Sequence, residues 1–254
     1  MHPIKSIQAR AQTYLSKHFH WTKYGRKLRN LKNTNLKECC FVIGNGPSLK
    51  PEDLTTLFNN GIPCFASNNI FKIFDKTNWR PTYYVCEDLL VLEDLSDMIS
   101  NYQLEHKFIP INYKWYNNIN IENADYFYQL FSNETKFSDD IARSIVCKGT
   151  VTTTCIQIAA YMGYKKIYLL GVDHSYHTTQ DNNGNIIIDD KVTDYFDSDY
   201  AKTMKKKAIP NVEATTQSYI DTKNHLDSIN ISVFNATRGG KLEVFPRVNF
   251  DSLF

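Results

Sequence analysis

Residues 41–49, Phe-Val-Ile-Gly-Asn-Gly-Pro-Ser-Leu, break an apolar run with two glycines, an asparagine and a serine. Cys39 to Ile43 reads as a strand and Gly44-Asn45-Gly46 as a tight turn. A helix is expected to start near Pro47, where a missing N–H costs nothing. Two glycines would let the backbone approach a bulky anion, and free amides with the Ser48 hydroxyl would donate to it. The chemistry this predicts is phosphate binding, most naturally that of a nucleotide. The pattern is neither a Walker loop, lacking Gly-Lys-Ser/Thr, nor the GxGxxG dinucleotide fingerprint. Other apolar runs also end in polar or glycine-rich residues: Asn68-Asn69, Glu87-Asp88, Gly171 to Tyr176 and Asn235 to Gly240.

Those residues need elements to hold them. Short apolar strands are predicted at 39–43, 63–67, 82–86, 108–111, 166–170 and 231–235, and helices at 51–60, 89–101, 150–162 and 212–226. Gly163 reads as a helix C-cap. Strands alternating with helices imply a Rossmann-like, doubly wound α/β fold on a mostly parallel sheet. In such sheets ligands sit outside the carboxyl ends of the strands, so five polar strand ends are expected to converge on one rim. Residues 113–146 show no clear period and read as an insert, and residues 174–210, with a turn at Asp181–Gly184, as a long loop or lid.

The 254 residues can bury a full core, and they hold no run of 18 apolar residues and no secretory h-region. Six cysteines without CxxC spacing, mostly inside apolar runs, read as buried free thiols in a reducing cytoplasm. Residues 1–37 carry nine basic side chains and no acid, which leaves 20 of the 29 basic groups against all 27 acidic ones in the rest of the chain. Ile4, Ile7, Tyr14, Leu15, Phe19, Trp21, Tyr24 and Leu28 recur among the charges at roughly helical spacing. Two readings follow: a basic amphipathic segment for an anionic membrane surface, or a helix packed on the body with a solvated basic face. Nucleic acid is not expected as a partner, because the basic character stops at residue 37. The division predicted is 1–37 as this segment and 38–254 as a nucleotide-binding catalytic domain.

Gly44–Leu49, Asn68 and Gly163–Leu169 leading to Gly171-Val172-Asp173 resemble the Campylobacter-type bacterial sialyltransferases. They also resemble the group named after archaeal 6-hydroxymethylpterin diphosphokinase, many of whose bacterial members are associated with surface-polysaccharide and flagellin glycosylation. The second resemblance covers roughly residues 40–254. It adds Trp79–Tyr84, Gly149–Thr152, Gly171–Tyr176, Asn235–Gly240 and Phe245-Pro246-Arg247.

The resemblance implies that Gly44, Asn45, Gly46 and Ser48 hold the nucleotide phosphate and ribose, and that Asn68 contacts the cytidine or its phosphate. It implies that Gly149, Thr150 and Thr152 surround the sugar or phosphate, and that Gly171 and Asp173 cradle base and ribose. Asp88 and Asn235 join this binding set. Gly171 can equally just end a strand, Thr152 cap a helix, and Asn235 with Gly239-Gly240 form only a tight turn. The sialyltransferases carry their general base as a lid histidine after the Gly-x-Asp strand. Here that stretch reads Asp194-Tyr195-Phe196, so His174 and His177 are the substitutes, and Tyr195 or Tyr200 is expected to assist departure of the phosphate.

The function implied is an inverting, metal-independent transfer of a sialic or related nonulosonic acid from a CMP-activated donor to a glycan or lipid-linked glycan acceptor. No cofactor is required, and the location is cytoplasmic or peripheral at the inner membrane. One alternative is an ATP-dependent diphosphokinase acting on a pterin alcohol, with Mg²⁺ held by Glu87, Asp88 and Asp173. The other is a non-catalytic binder of nucleotide-sugars.

Overall fold

The structure, a computed structural model, describes residues 14–15, 17–35, 37–132, 135–196 and 209–254. Tyr200 and the part of the predicted amphipathic pattern within residues 1–13, Ile4 and Ile7, lie outside them. A 3-10 turn at Phe19–Trp21 is followed by α1 (Lys23–Arg29), β1 (Cys39–Ile43), α2 (Pro51–Asn59) and β2 (Cys64–Ser67). Next come β3 (Tyr83–Val85), α3 (Leu89–Asn101), β4 (His106–Pro110), α4 (Ile111–Tyr116) and β5 (Asp125–Phe127). The chain continues through β6 (Gln129–Leu130), β7 (Ile145–Val146), α5 (Val151–Tyr161) and β8 (Lys166–Leu170). It closes with β9 (Thr178–Gln180), β10 (Ile186–Ile188), α6 (Val212–Ser228) and β11 (Ser232–Asn235).

Seven strands form one sheet in the order β11-β8-β1-β2-β3-β4-β5, and every pairing is parallel. This is the Rossmann-like α/β architecture expected. β1 lies inside the sheet between β8 and β2, with Phe41 beside Tyr168 on one flank and Cys64 on the other. Cys40 through Ile43 are buried, which is why β1 reads as a continuous apolar run with no alternation. α2 carries Pro at its first position and buries Leu54 and Leu57. Asp88, Thr150 and Asn211 cap α3, α5 and α6 by accepting from the amides of Leu90, Thr152 and Ala214. All six cysteines are free thiols, five of them buried.

Three expectations need correction. The helix predicted near Pro47 starts at Pro51, because residues 46–48 form a turn closed by the Leu49 amide on the Gly46 carbonyl. Ile111 begins α4 and does not end a strand. The unassigned stretch 113–146 contributes β5, the edge of the main sheet, and the small β6–β7 pair. Within 174–210, β9 and β10 form an antiparallel hairpin around Asp181–Gly184.

The N-terminal segment, where described, packs on the β5 edge. Phe19 and Leu28 are buried, Tyr24 stands edge-on to Tyr126, and the Lys27 ammonium lies 2.6 Å from the buried Asp125 carboxylate. His106 Nδ1 meets the same carboxylate at 2.8 Å. Trp21 is 67% exposed. Among the described residues no helix is long and apolar enough to cross a membrane. Leu28→Ala is expected to cost about 2–5 kcal/mol in urea unfolding, and Trp21→Ala within about 0.5 kcal/mol of nothing. Equal effects at the two positions would contradict this packing.

Candidate functional site

The chain builds outward from β1 through β2, β3, β4 and β5, then returns to lay β8 and β11 on the other flank of β1. The sheet therefore reverses its winding between β1 and β8, where open α/β sheets bind ligands at their carboxyl rim. A cavity of about 170 Å³ lies at this point. Its walls are Gly44–Gly46 after β1, Ser67 and Asn68 after β2, and Gly171–Tyr176 after β8. Thr150–Thr152 at the start of α5, Tyr219 of α6, Asp194 and Tyr195 complete it.

The turn after β1 is not the anion cradle its composition suggested. Gly44 N–H donates to the Leu170 carbonyl at 2.8 Å, Gly46 N–H to Gly171 at 2.9 Å, and Leu49 N–H to Gly46 at 3.1 Å. The Ser48 hydroxyl donates to Asp173 Oδ2 at 2.7 Å and its amide to the same oxygen at 3.3 Å. These donors are engaged within the protein. The glycines serve backbone packing: a Cβ on Gly44 would collide with the Gly171 carbonyl, and one on Gly46 with the Asp173 carboxylate. Ser48 thus fixes Asp173 and does not itself line the cavity.

The loop after β11 grips the same turn from the other side. Thr237 Oγ1 accepts from the Val172 amide at 3.1 Å, and the Lys241 amide donates to the Asp173 carbonyl at 2.7 Å. Gly240 packs so closely that an added Cβ would stand 2.8 Å from Asp173 Cα. Burial pushes the Asp173 carboxyl up, and the Ser48 hydroxyl and amide pull it back. A carboxylate so placed accepts from hydroxyl groups and repels phosphate.

His174 has φ +52 and is almost wholly buried. Its Nε2 lies 2.8 Å from Thr216 Oγ1, and that hydroxyl donates its own proton to the Val212 carbonyl at 2.8 Å. A Thr216 hydroxyl that gives its proton to Val212 accepts from the ring; Nε2 then carries the proton and Nδ1 holds a bare lone pair. Nδ1 is buried and has no hydrogen-bond partner. Burial lowers the His174 pKa, which keeps the ring neutral at neutral pH. Asn45 Oδ1 and Asn68 Oδ1 are likewise buried and unpartnered. Three residues that line one cavity each keep a buried, unpartnered polar atom, which marks a place able to receive a polar ligand.

The remaining predicted residues divide. Gly171 (φ +69), Thr150 and Thr152 line the cavity, with Thr150 rather than Thr152 as the cap of α5. Tyr195 lines it too. Burial and the Asp194 carboxylate push its hydroxyl up to about 12, so it keeps its proton to donate. His177 lines a neighbouring cavity of about 230 Å³ and faces Thr178 Oγ1 at 2.9 Å and Asp190 at 3.3 Å.

Four predicted positions are turned away. Gly149 packs under α6, its carbonyl taking the Thr215 hydroxyl. Asp88 is occupied as the α3 cap, and Asn235 binds the Leu242 carbonyl at 2.8 Å and the Thr237 amide at 3.0 Å. Glu87, the other carboxylate predicted for Mg²⁺, is buried beneath Thr154, whose hydroxyl it accepts, and burial pushes its pKa up. Three of the five strand ends, not all five, thus meet at the rim. Among the described residues no group of three or more His, Cys, Asp or Glu side chains could hold a metal ion. Sequence reasoning missed Ser67, Thr216 and Tyr219; the last two carried no signal beyond membership of a predicted helix.

The family model described as 6-hydroxymethylpterin diphosphokinase MptE-like matches residues 12–179, taking in the N-terminal segment and ending just beyond His177. Among solved structures, the MAf glycosyltransferase from Magnetospirillum magneticum AMB-1 superposes with a TM-score of 0.54 at 14% identity. The alignment covers 94% of this chain and 39% of that one, so this chain spans well under half the length of that enzyme and the likeness is one of fold. No curated protein sequence matches the chain.

Two measurements probe this geometry. ¹⁵N NMR of His174 is expected to show a single Nε2–H tautomer in the wild type and a mixture in Thr216→Val. A fixed Nδ1–H form would overturn the assignment. Ser48→Ala removes a group that lowers the Asp173 pKa, so carboxyl NMR is expected to show Asp173 titrating at higher pH than in the wild type.

Proposed function

The chain belongs to the 6-hydroxymethylpterin diphosphokinase MptE-like family, and we propose that within it this protein is an inverting glycosyltransferase that moves a sugar from a nucleotide-activated donor to an acceptor hydroxyl. The observation that carries the reading is His174, a neutral imidazole with a buried, unpartnered Nδ1, in a residue that lines the rim cavity at the sheet's winding reversal. In the reaction the acceptor hydroxyl gives its proton to Nδ1, and its oxygen forms a bond to the anomeric carbon. The bond from that carbon to the phosphate oxygen breaks on the opposite face, and the nucleotide leaves with the electron pair. The wall must yield for the acceptor to reach Nδ1; Tyr176 stands edge-on to the His174 ring at 6.2 Å. Tyr195 and the amide end of α5 steady the departing phosphate.

Charge supports a CMP-activated donor, such as a sialic or related nonulosonic acid. Asp173 and Asp194 line the cavity, and among the described residues no lysine or arginine does. The single phosphodiester of a CMP-sugar suits such walls better than a triphosphate, whose charge needs counterions. Asp173 takes the ribose hydroxyls in this scheme, and the carboxamide oxygens of Asn45 and Asn68 accept from the amino group of the base. The fold is one on which a glycosyltransferase, the MAf enzyme, is built. The basic residues of 1–37 and the exposed Trp21 support a lipid-linked glycan acceptor met at a cytoplasmic membrane face, with 38–254 as the catalytic body.

Calorimetry with CMP and ATP, each with and without Mg²⁺, tests the donor class: CMP is expected to bind without metal and more tightly than ATP. Binding of ATP with Mg²⁺ alone would move the assignment to a diphosphokinase. His174→Ala is expected to keep CMP affinity while transfer falls about 10²–10⁴-fold, with His177→Ala near wild type. Because burial lowers the His174 pKa, the basic form persists below pH 6.5, and the acid limb of kcat/KM is expected below that value. Transfer unchanged in His174→Ala would remove it as the base.

A further inference from the structure

His174 belongs to two cavities. Besides the rim cavity it lines a second one of about 330 Å³. There, Thr216, Ile220 and Lys223 of α6 face Lys241, Leu242 and Val244 of the segment after β11. Thr216, Ile220 and Lys223 are spaced by four and three, so they form one stripe of the helix. The walls combine an apolar surface with two ammonium groups. Lys241 makes no ion pair among the described residues, whereas Lys223 is paired with Asp227 at 2.5 Å. The acid on this wall, Glu243, is held by Arg247 at 2.6 Å and so does not cancel Lys241. The rim cavity has the opposite character, with carboxylates and, among the described residues, no lysine or arginine. His174 thus lines both an acidic and a basic cavity, and the Thr216 hydroxyl bonded to its ring is itself on the second cavity's wall.

We propose that this second cavity is the acceptor subsite and that it takes an amphiphilic anion. The acidic group lies against Lys241 and Lys223, the apolar portion rests on Ile220 and Val244, and the reacting hydroxyl is directed at His174. The inference rests on the glycosyltransferase reading for the word acceptor, but the binding chemistry stands on the cavity itself. Phosphate on a lipid-like chain and free phosphate share the anionic group. The apolar lining selects the first.

The probe is hexyl phosphate, titrated into the full chain and followed by ¹H–¹⁵N NMR, with inorganic phosphate and hexyl glucoside as comparisons. Hexyl phosphate is expected to shift the amides of Thr216, Ile220, Lys241 and Val244 and the ring signals of His174, while the other two compounds bind weakly or not at all. Lys241→Glu and Ile220→Asp, both at exposed positions, are each expected to weaken hexyl phosphate about five- to tenfold and leave CMP affinity unchanged. Equal binding of inorganic phosphate would show an anion site without an apolar requirement, and equal binding of hexyl glucoside an apolar site without a charge requirement. Either result overturns the proposal, as does hexyl phosphate binding that Lys241→Glu leaves intact. If CMP binds and hexyl phosphate does not, the subsite fails and the donor reading stands. If hexyl phosphate binds as expected and CMP does not, the amphiphile site stands and the donor reading fails.

Discussion

The contact on which the rest of the molecule depends is the apposition of three loops around Gly171–Asp173. The turn after β1 presses from one side, backbone on backbone, through Gly44 and Gly46, and the loop after β11 presses from the other through Gly240. Hydrogen bonds from Gly46, Ser48 and Lys241, together with the Val172 amide on Thr237, lock the three together. Arg238 of the same loop holds Asp53 of α2 and Asp251, which ties this knot to the outer layer. The parallel sheet supplies the strand ends, but this packing sets where Asp173 and His174 stand. Glycine is needed at Gly44 and Gly46 because another chain segment fills the space a side chain would take.

A second constraint is the allocation of protons. A hydroxyl has one proton to give, and Thr216 gives it to the Val212 carbonyl. In that arrangement Nε2 of His174 carries the hydrogen without any charged neighbour, and burial keeps the ring neutral. A carboxylate partner would have fixed the ring as well, but it would also have raised the imidazole's pKa and added negative charge to a cavity that already has two acids. A threonine orients the ring without either effect.

Much of the scaffold was legible because parallel sheets bury both faces of their strands. Lys166–Leu170 and Leu89–Asn101 have the bounds their apolar runs predicted. β5 was not legible. It is three residues long and opens with an aspartate, whose charge is met by Lys27 and His106 from distant parts of the chain. The site was half legible. Gly44-Asn45-Gly46 and Gly171–Tyr176 announced themselves as strand ends, yet composition cannot show that the two turns face each other, so their glycines and amides read as an empty cradle. Asn235 looked like a ligand group for the same reason; a polar residue after a strand gives no sign whether its amide turns outward or, as here, into the loop that follows. Thr216, which decides the tautomer of His174, lies 42 residues further along the chain.

The two carboxylates on the rim cavity's walls, where no described side chain is a lysine or arginine, bear on turnover as well as on recognition. In the proposed reaction the nucleotide enters as a phosphodiester and leaves as a monoester, which carries an additional negative charge at neutral pH. A site built around arginines would hold the spent nucleotide more firmly than the donor and would have to reopen against that attraction. Here the product gains charge in front of two carboxylates, so the same walls that tolerate the donor eject what remains of it.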